Sequence, residues 1–263
     1  MSRGFGVAAG LDPGVARPLA ERCAELGYGS MWSNDHPGGS GLETLAAVAD
    51  AAPDLDLGVG VLPLDRHSAA EIAAHVNALE LDPERLWLGV GAGFTKRPLT
   101  LMDAALRDLR DQLPGIRLVL ATMGPKMCAL AGSGYDGAFF NWMTADFARA
   151  AREQVEAGAR EAGREPPPVL GYVRTAVGPD AADRLAKEEA FYRELHAGYS
   201  SHFERLGEPQ GTVGVAAADA AEARRELAIY DEALDVVVVR GLASARVETM
   251  TALAEAAAPA GPR

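Results

Sequence analysis

Two hydrophobic periods follow one another along the whole chain. Short apolar runs of strand length are separated by longer segments in which apolar residues recur every three or four positions, as on one face of a helix. The apolar runs predict eight strands, at residues 5–10, 30–35, 55–64, 86–94, 117–122, 137–142, 168–177 and 235–240. Because the runs are apolar almost throughout, they indicate parallel strands covered by helices.

The segments between the runs carry signals for the starts of helices. Asp12 offers an N-cap directly before Pro13, and Ser68 and Glu71 have the spacing of a capping box. Thr144 is a further candidate cap. The apolar steps at 99–113 and the segment 245–257 predict two more helices.

Eight strand–helix units predict a (β/α)8 TIM barrel, with a doubly wound sheet as the alternative. No composition shift marks a second domain, so a single domain over residues 1–258 and a frayed tail at 259–263 are expected. The tetrapeptide LGVG occurs at 57–60 and again at 88–91, in the third and fourth predicted strands. The interval of 31 residues between the two copies fits the length of one strand–helix unit.

Composition narrows the class of protein. The 263 residues are 48% hydrophobic and carry a formal net charge of −12, which argues against non-specific binding to nucleic acid or to anionic membranes. Cys23 and Cys128 form no CxxC motif, which favours a reducing compartment. The first residues lack an apolar stretch of signal-peptide length, so a cytoplasmic protein is expected.

Several common catalytic motifs are not found in this sequence. GVGAGF at 89–94 looks like a dinucleotide loop, but Phe94 stands at the third glycine position and the strand is the fourth rather than the first. There is no GxSxG motif. The histidines form no HxH or HExxH spacing, so no metal site is predicted; they are His36, His67, His75, His196 and His202.

Polar residues follow the second predicted strand, at the barrel end where active sites are built. Asp35 and His36 begin the glycine-rich loop SNDHPGGSG. Histidine changes protonation near neutral pH, so His36 is a candidate for proton transfer or cofactor contact. The alternative is a loop-capping Asp35 and a solvent-exposed His36.

Other candidates end the later strands. Gly124, Pro125 and Lys126 open a helix after the fifth strand, where free backbone N–H groups favour an anion; an ordinary strand-to-helix turn is the alternative. Asn141 and Trp142 end the sixth strand, as a turn former or a rim packing residue. Arg174 and Arg240 near the ends of the last two strands are typical of solvated or ion-paired positions.

The ordered segments VAAG, ELGYGSMWSNDH, LGVGVLPL, NALELDPERLWLGVGAG and GPKMCALAGSGYDGAFFNW resemble the luciferase-like monooxygenase family. The similarity is closest to its actinobacterial branch that uses the deazaflavin coenzyme F420. It is strong over residues 5–142 and weaker towards the C-terminus. The resemblance implies a (β/α)8 barrel that binds a flavin or deazaflavin at its C-terminal rim, and it makes a homodimer an option.

The resemblance also implies roles for individual residues. His36 matches the histidine beside the redox ring, with Asp35 as its orienter. Gly60 and Val61 match a pair joined by a non-prolyl cis peptide that backs the ring, where glycines let the backbone approach the ring closely. The cofactor-binding set expected on this basis is Gly60, Val61, Gly91, Ala92, Gly93, Thr122, Gly124, Pro125, Lys126 and Asn141.

Two features depart from the family pattern. Phe94 stands where some deazaflavin dehydrogenases carry a glutamate, so proton transfer falls to His36, Asp35 or solvent. The segment 94–117 is shorter than in typical relatives, which suggests a wide or partner-completed pocket. Three functions follow: an F420-dependent oxidoreductase acting on a small organic substrate, an FMN-dependent monooxygenase, or a flavin-binding protein without turnover.

Overall fold

In the computed structural model, which describes residues 2–260, parallel strands close into a barrel with the helices outside it. The strands are β1 (Ser2–Val7), β2 (Ser30–Ser33), β3 (Asp56–Pro63), β4 (Leu86–Gly91), β5 (Arg117–Thr122), β6 (Gly137–Asn141), β7 (Val169–Val177), β8 (Val215–Ala217) and β9 (Val236–Gly241). The helices are α1 (Pro13–Glu25), α2 (Gly41–Ala46), α3 (Ala69–Ala78), α4 (Pro98–Gln112), α5 (Pro125–Gly134), α6 (Ala145–Glu161), α7 (Ala181–Leu195), α8 (Ala197–Leu206), α9 (Ala220–Asp231) and α10 (Val247–Ala256).

The predicted (β/α)8 TIM barrel is confirmed. Strands β1 to β7 pair in chain order, and β9 closes the ring between β7 and β1. The prediction missed β8, which pairs only with residues 175–177 of β7 and lies outside the ring of eight. A strand of three residues is too short to show a hydrophobic period.

The element ends differ slightly from those predicted. Strand β1 spans Ser2–Val7 rather than 5–10, because the chain turns after it and Gly10 has φ of +74°. Asp12, Ser68 and Thr144 cap their helices as predicted, and Ser68 and Glu71 form both hydrogen bonds of a capping box. Of the predicted frayed tail, residues 261–263 lie outside the described residues.

Buried apolar side chains form two layers and a smaller third cluster, which consists of Trp142, Leu185, Phe203 and Val213. The larger layer lies between the strands and the helices, where Leu19, Leu88 and Leu109 are fully buried. Leu99, predicted on the apolar face of α4, is 37% exposed because it lies at the start of that helix. The second layer fills the barrel interior; it consists of Trp32, Val119, Phe139, Leu170, Tyr172 and Val238.

The glycines of both LGVG segments make room for neighbouring protein atoms. A Cβ on Gly58 would lie 2.2 Å from the indole of Trp32, and one on Gly91 would lie 2.9 Å from Val61 Cγ2. A Cβ on Gly60 would meet Phe139 at 3.0 Å. These glycines therefore make room for protein side chains on the side to which a Cβ would point, and the close approach of the backbone to a ring stays a prediction.

Among the helices of residues 2–260, none has both the length and the apolar character that a membrane span requires.

Candidate active site at the barrel mouth

The residues expected to form a site lie at one end of the barrel. They occupy the carboxyl ends of β2 to β6 and the loops that follow, so parallel pairing brings them to a common mouth. Although these residues share one end of the barrel, they lie on two different sides of the mouth. One is formed by the ends of β2 and β3, and the other by β6, β7 and β9.

Strand β3 is irregular at the mouth. The Gly60–Val61 peptide bond is cis, as predicted, and the pairing of β3 with β4 shifts register between Val59 and Leu62. The Val61 side chain is half-buried. Below, Val61 packs against the barrel-interior layer. On the β4 and β5 side its neighbours are Gly91 and Ala121, which carry no side chain beyond a methyl group.

The loop after β2 gives Asp35 and His36 separate partners. His36 is exposed, and its Nδ1 accepts a hydrogen bond from the Gly38 N–H at 3.1 Å. The Asp35 carboxylate instead contacts Arg66 Nη2 at 3.0 Å and His67 Nε2 at 3.1 Å. The predicted role of Asp35 as the orienter of His36 is therefore not seen, because Asp35 binds the imidazole of the loop after β3.

The loop after β4 is tied down by a carboxylate. Asp65 Oδ2 accepts a hydrogen bond from the Phe94 N–H at 2.8 Å, and Gly93 has φ of +61° with Asp65 directly beside its α-carbon. Phe94 is 58% exposed, and its ring stacks on His196 with centroids 4.3 Å apart. The short segment after β4 thus reaches the junction of α7 and α8. Ala92, between Gly91 and Gly93, is half-buried.

The loop after β5 opens α5 as predicted. Gly124 is the N-cap residue and makes no side-chain cap, while Pro125 occupies the first turn. Lys126 is exposed. Thr122 is buried, and its Oγ1 accepts a hydrogen bond from the Cys128 thiol at 3.4 Å, so this hydroxyl faces α5.

The opposite side of the mouth contains residues that sequence reasoning undervalued. Asn141 accepts a hydrogen bond from Arg174, whose guanidinium is 4.3 Å from the Trp142 ring centroid. Arg174 is 3% exposed and Arg240 is half-buried, so the expectation of solvated or ion-paired arginines is wrong. The alternation from Leu170 through Tyr172 to Arg174 was a signal that this side chain points inward.

Helix α8 covers this side of the mouth. Tyr199 Oη accepts a hydrogen bond from Asn141 Nδ2 at 3.3 Å, and Arg205 donates to the Met123 carbonyl at 3.3 Å. His202 Nε2 lies 2.6 Å from the Trp142 carbonyl. Burial lowers the pKa of His202 and raises the pKa of Tyr199 to about 12. Helix α8 therefore packs against the ends of β5 and β6 on this side of the mouth.

A cavity of about 460 Å³ adjoins the β2 side of the mouth. It lies between the β2–α2 loop and α3, and its lining includes His36, His67 and His75. It does not reach Val61. Within residues 2–260 no group of three or more His, Cys, Asp or Glu side chains is arranged to hold a metal ion.

The chain resembles known proteins over most of its length. The family model described as luciferase-like monooxygenase matches residues 3–114 and 99–258. A curated relative, 5,10-methylenetetrahydromethanopterin reductase of Methanolobus tindarius, is 26% identical over 200 residues. That match covers 62% of this chain and 61% of the relative.

Two solved structures share the fold. An F420-dependent secondary alcohol dehydrogenase in complex with an F420–acetone adduct superposes with a TM-score of 0.77, at 17% identity, over 97% of this chain and 98% of that chain. The oxygenating constituent of 3,6-diketocamphane monooxygenase from Pseudomonas putida, in complex with FMN, superposes with a TM-score of 0.67. Its identity is 14%, over 98% of this chain and 99% of that chain.

Proposed function

This chain belongs to the luciferase-like monooxygenase family, and on that premise we propose that it is an oxidoreductase dependent on coenzyme F420. It would transfer a hydride between the deazaflavin and a small organic substrate at the barrel mouth. The sequence motifs closest to the F420-using branch support this choice, as does the similarity to an F420-dependent alcohol dehydrogenase.

The observation that carries the proposal is the shape of the mouth at the β3 irregularity. Val61 is half-buried there, and its inward neighbours are Gly91 and Ala121. A flat ring fits against a surface without long side chains. The residues present therefore fit a flavin or deazaflavin, whose ring would contact Val61 rather than the glycine α-carbons.

The remaining predicted residues would hold the rest of the cofactor. Gly91, Ala92 and Gly93 would border the ring on the β4 side, and Asn141 would border it on the β6 side. Thr122 would contribute only its backbone at the end of β5, because its hydroxyl faces Cys128 of α5. At the start of α5, Gly124, Pro125 and Lys126 suit a phosphate group, because the first turn has no side-chain cap and Lys126 adds a positive charge. The bound cofactor supplies the hydride chemistry.

His36 is the residue proposed to move a proton. Its Nδ1 accepts from the Gly38 N–H, so the neutral imidazole carries its hydrogen on Nε2, which is available for donation at the exposed edge of the mouth. Asp35 is engaged by Arg66 and His67. In this proposal Asp35 keeps the loop in place, and a second imidazole, His67, lies beside the same cavity.

Titration of the purified protein with F420 and with FMN tests the proposal. We expect saturable binding of F420, weaker binding of FMN, and loss of affinity in Ala121→Leu, because the longer side chain would fill the space beside Val61. Ala252→Leu, on the exposed face of α10, is the matched control and should bind as the wild type does.

Each alternative function has its own result in this experiment. Tighter binding of FMN would favour the monooxygenase, the activity named for the FMN-bound neighbour. Saturable binding without hydride transfer across a substrate panel would favour a flavin-binding protein. If neither cofactor binds, the oxidoreductase proposal is wrong. Sedimentation of the same protein would decide whether it forms the homodimer that the resemblance makes an option.

A further inference from the structure

The described barrel strands contain four arginines, and two of them have carboxylate partners. Arg3 in β1 pairs with Asp231, and Arg117 in β5 pairs with Asp56 at 2.9 Å. Arg3 also donates to two backbone carbonyls near the end of α10. These two positions follow the general rule that a buried charge is paired and hydrogen-bonded.

The other two arginines break this rule and lie side by side. Arg174 in β7 is the register partner of Arg240 in β9, so their α-carbons are about 5 Å apart on neighbouring parallel strands. Within residues 2–260 neither forms an ion pair, and Arg174 has one side-chain partner, the amide oxygen of Asn141. Like charges placed directly opposite on a sheet destabilise it.

The groups around this pair are hydrogen-bond donors. Arg174 Nε, Trp142 Nε1 and Tyr172 Oη are buried and make no hydrogen bond within the described residues. An indole N–H and a guanidinium N–H can only donate. Because burial raises the pKa of Tyr172, its hydroxyl keeps its proton at neutral pH and can donate as well. Unmet donors of this kind require an acceptor.

Aromatic rings hold the Arg174 guanidinium in place without supplying negative charge. The Arg174 guanidinium carbon lies 4.3 Å from the Trp142 ring centroid, 5.1 Å from that of Tyr192 and 5.4 Å from that of Tyr172. Cation–π contacts of this length stabilise a guanidinium. Burial has the largest effect on the pKa of Arg240 and lowers it, and the neighbouring Arg174 lowers it further. The Glu188 carboxylate raises this pKa, but less than Tyr172 or Tyr192 does.

Glycine provides the room that the pair needs. Gly6 in β1 is the register partner of Arg240, and a Cβ there would lie 2.8 Å from Tyr172 and 3.4 Å from Arg240 Cδ. Arg240 therefore packs beside Gly6 of β1 and the Tyr172 ring, and unlike Arg174 it is partly open to solvent.

We propose that Arg174 and Arg240, with the free donors of Tyr172 and Trp142, bind a carboxylate group of the substrate. Two adjacent guanidinium groups can each donate to one oxygen of a planar carboxylate, the strongest common form of charge-assisted hydrogen bonding. That the bound carboxylate belongs to a substrate rests on the proposed oxidoreductase function, whereas the anion site itself does not. The net charge of the chain is −12, so binding of an anion depends on the local positive charge of the two arginines. Enclosure favours such a site, because salt screens buried charges less than exposed ones.

Acetate titration of the cofactor-free protein tests this site, read by tryptophan fluorescence and by melting temperature at constant ionic strength. In the wild type we expect a saturable change in both. Arg240→Met should weaken acetate binding at least tenfold and raise the melting temperature of the free protein, since it removes the repulsion. Arg240→Lys should give an intermediate affinity. Arg246→Met, an exposed position just after β9, should match the wild type.

The contrary results are equally definite. No saturable response to acetate in the wild type, or unchanged affinity in a folded Arg240→Met, would overturn the proposal. Tighter binding of inorganic phosphate than of acetate would overturn the carboxylate assignment. If saturating F420 or FMN displaces acetate, the pair binds an anionic part of the cofactor and not the substrate. Failure of cofactor binding contradicts only the proposed function, because the acetate arm contains no cofactor.

Discussion

At the scale of single residues, glycine sets how closely large side chains can approach the barrel wall. Gly58 lies beneath the indole of Trp32, which is fully buried and donates from Nε1 to Ser30 Oγ. Gly91 leaves room for Val61 in the same way. The repeated LGVG is thus explained by packing inside the barrel, where close-packed neighbours cannot move away to admit one more carbon.

Gly58→Ala should destabilise the protein by about 1–3 kcal/mol, the usual cost of overpacking a core. The added Cβ would lie 2.2 Å from the Trp32 ring, a distance that the buried indole cannot relieve without shifting. Chemical denaturation measures the effect. In a Trp32→Phe background the penalty should shrink, because the smaller ring leaves space. An equal penalty in both backgrounds would contradict this packing account.

His36→Ala should leave the unfolding free energy within about 0.5 kcal/mol of the wild type, since the side chain is exposed. Turnover should fall about a hundredfold if His36 moves the proton, the lower end of the range for general acid–base groups. Steady-state kinetics with the cofactor measures this. His75→Ala, which replaces a half-buried histidine on α3, is the control and should retain activity. Wild-type turnover in His36→Ala with loss in His67→Ala would assign the role to His67.

At the scale of elements, the helix pair inserted between β7 and β8 decides how open the mouth is. Helix α8 contacts the ends of β5 and β6 through Arg205, Tyr199 and His202. Phe94 stacks on His196 at the junction of α7 and α8. The short segment after β4 therefore does not by itself leave the mouth uncovered, since these helices extend over it from the opposite side.

The docking of α8 should depend on pH through His202. Burial lowers the pKa of this imidazole, so the folded state holds it neutral while the unfolded state binds a proton below about pH 6.5. Stability is unaffected above that pH and is lost as the pH falls from 6.5 towards the lower pKa of the folded state.

Replacing His202 tests this dependence. His202→Gln keeps a donor for the Trp142 carbonyl but does not titrate. Its melting temperature should therefore fall less steeply than that of the wild type between pH 6.5 and 5. Parallel curves for the two proteins would show that His202 is not responsible.

At the scale of the whole molecule, the barrel is closed by contacts between the two ends of the chain. Strand β1 pairs with β9, and Arg3 joins Asp231 at the end of α9 to the carbonyls of Ala257 and Ala258. Arg3 is 4% exposed. Ring closure in a barrel leaves no free strand edge. Because Arg3 is buried where the ring closes, its loss should lower the unfolding free energy more than the loss of a surface cation would.

Arg3→Met should cost about 3 kcal/mol of unfolding free energy, because it leaves a carboxylate and two carbonyls without their partner. Arg22→Met is the matched comparison, since Arg22 also joins α1 to the C-terminal helix through Glu255, but with 38% of its side chain exposed. Its loss should be much smaller, as for surface pairs in general. Urea denaturation of both variants checks the order; equal losses would contradict the importance of the buried seam.

The amino-acid sequence by itself determined the barrel, because strand and helix periods, caps and glycine stops are local signals. The eight ring strands, the caps at Ser68 and Thr144 and the start of α5 were all readable in this way. Family resemblance added the cis bond at Gly60–Val61, which the structure confirms. The cofactor-binding roles of the mouth residues stay predictions.

Only the tertiary structure decided which polar groups meet. Asp35 binds His67 rather than its neighbour His36, and Arg174 lies beside Arg240 although 66 residues separate the members of that pair. The physical reason is that strand register and ring closure set these distances, and both depend on packing between elements far apart in the chain. The order of residue types along the chain cannot show whether an arginine has a carboxylate partner in the fold. Within residues 2–260, Arg174 and Arg240 have no such partner, and this observation is what indicates a ligand.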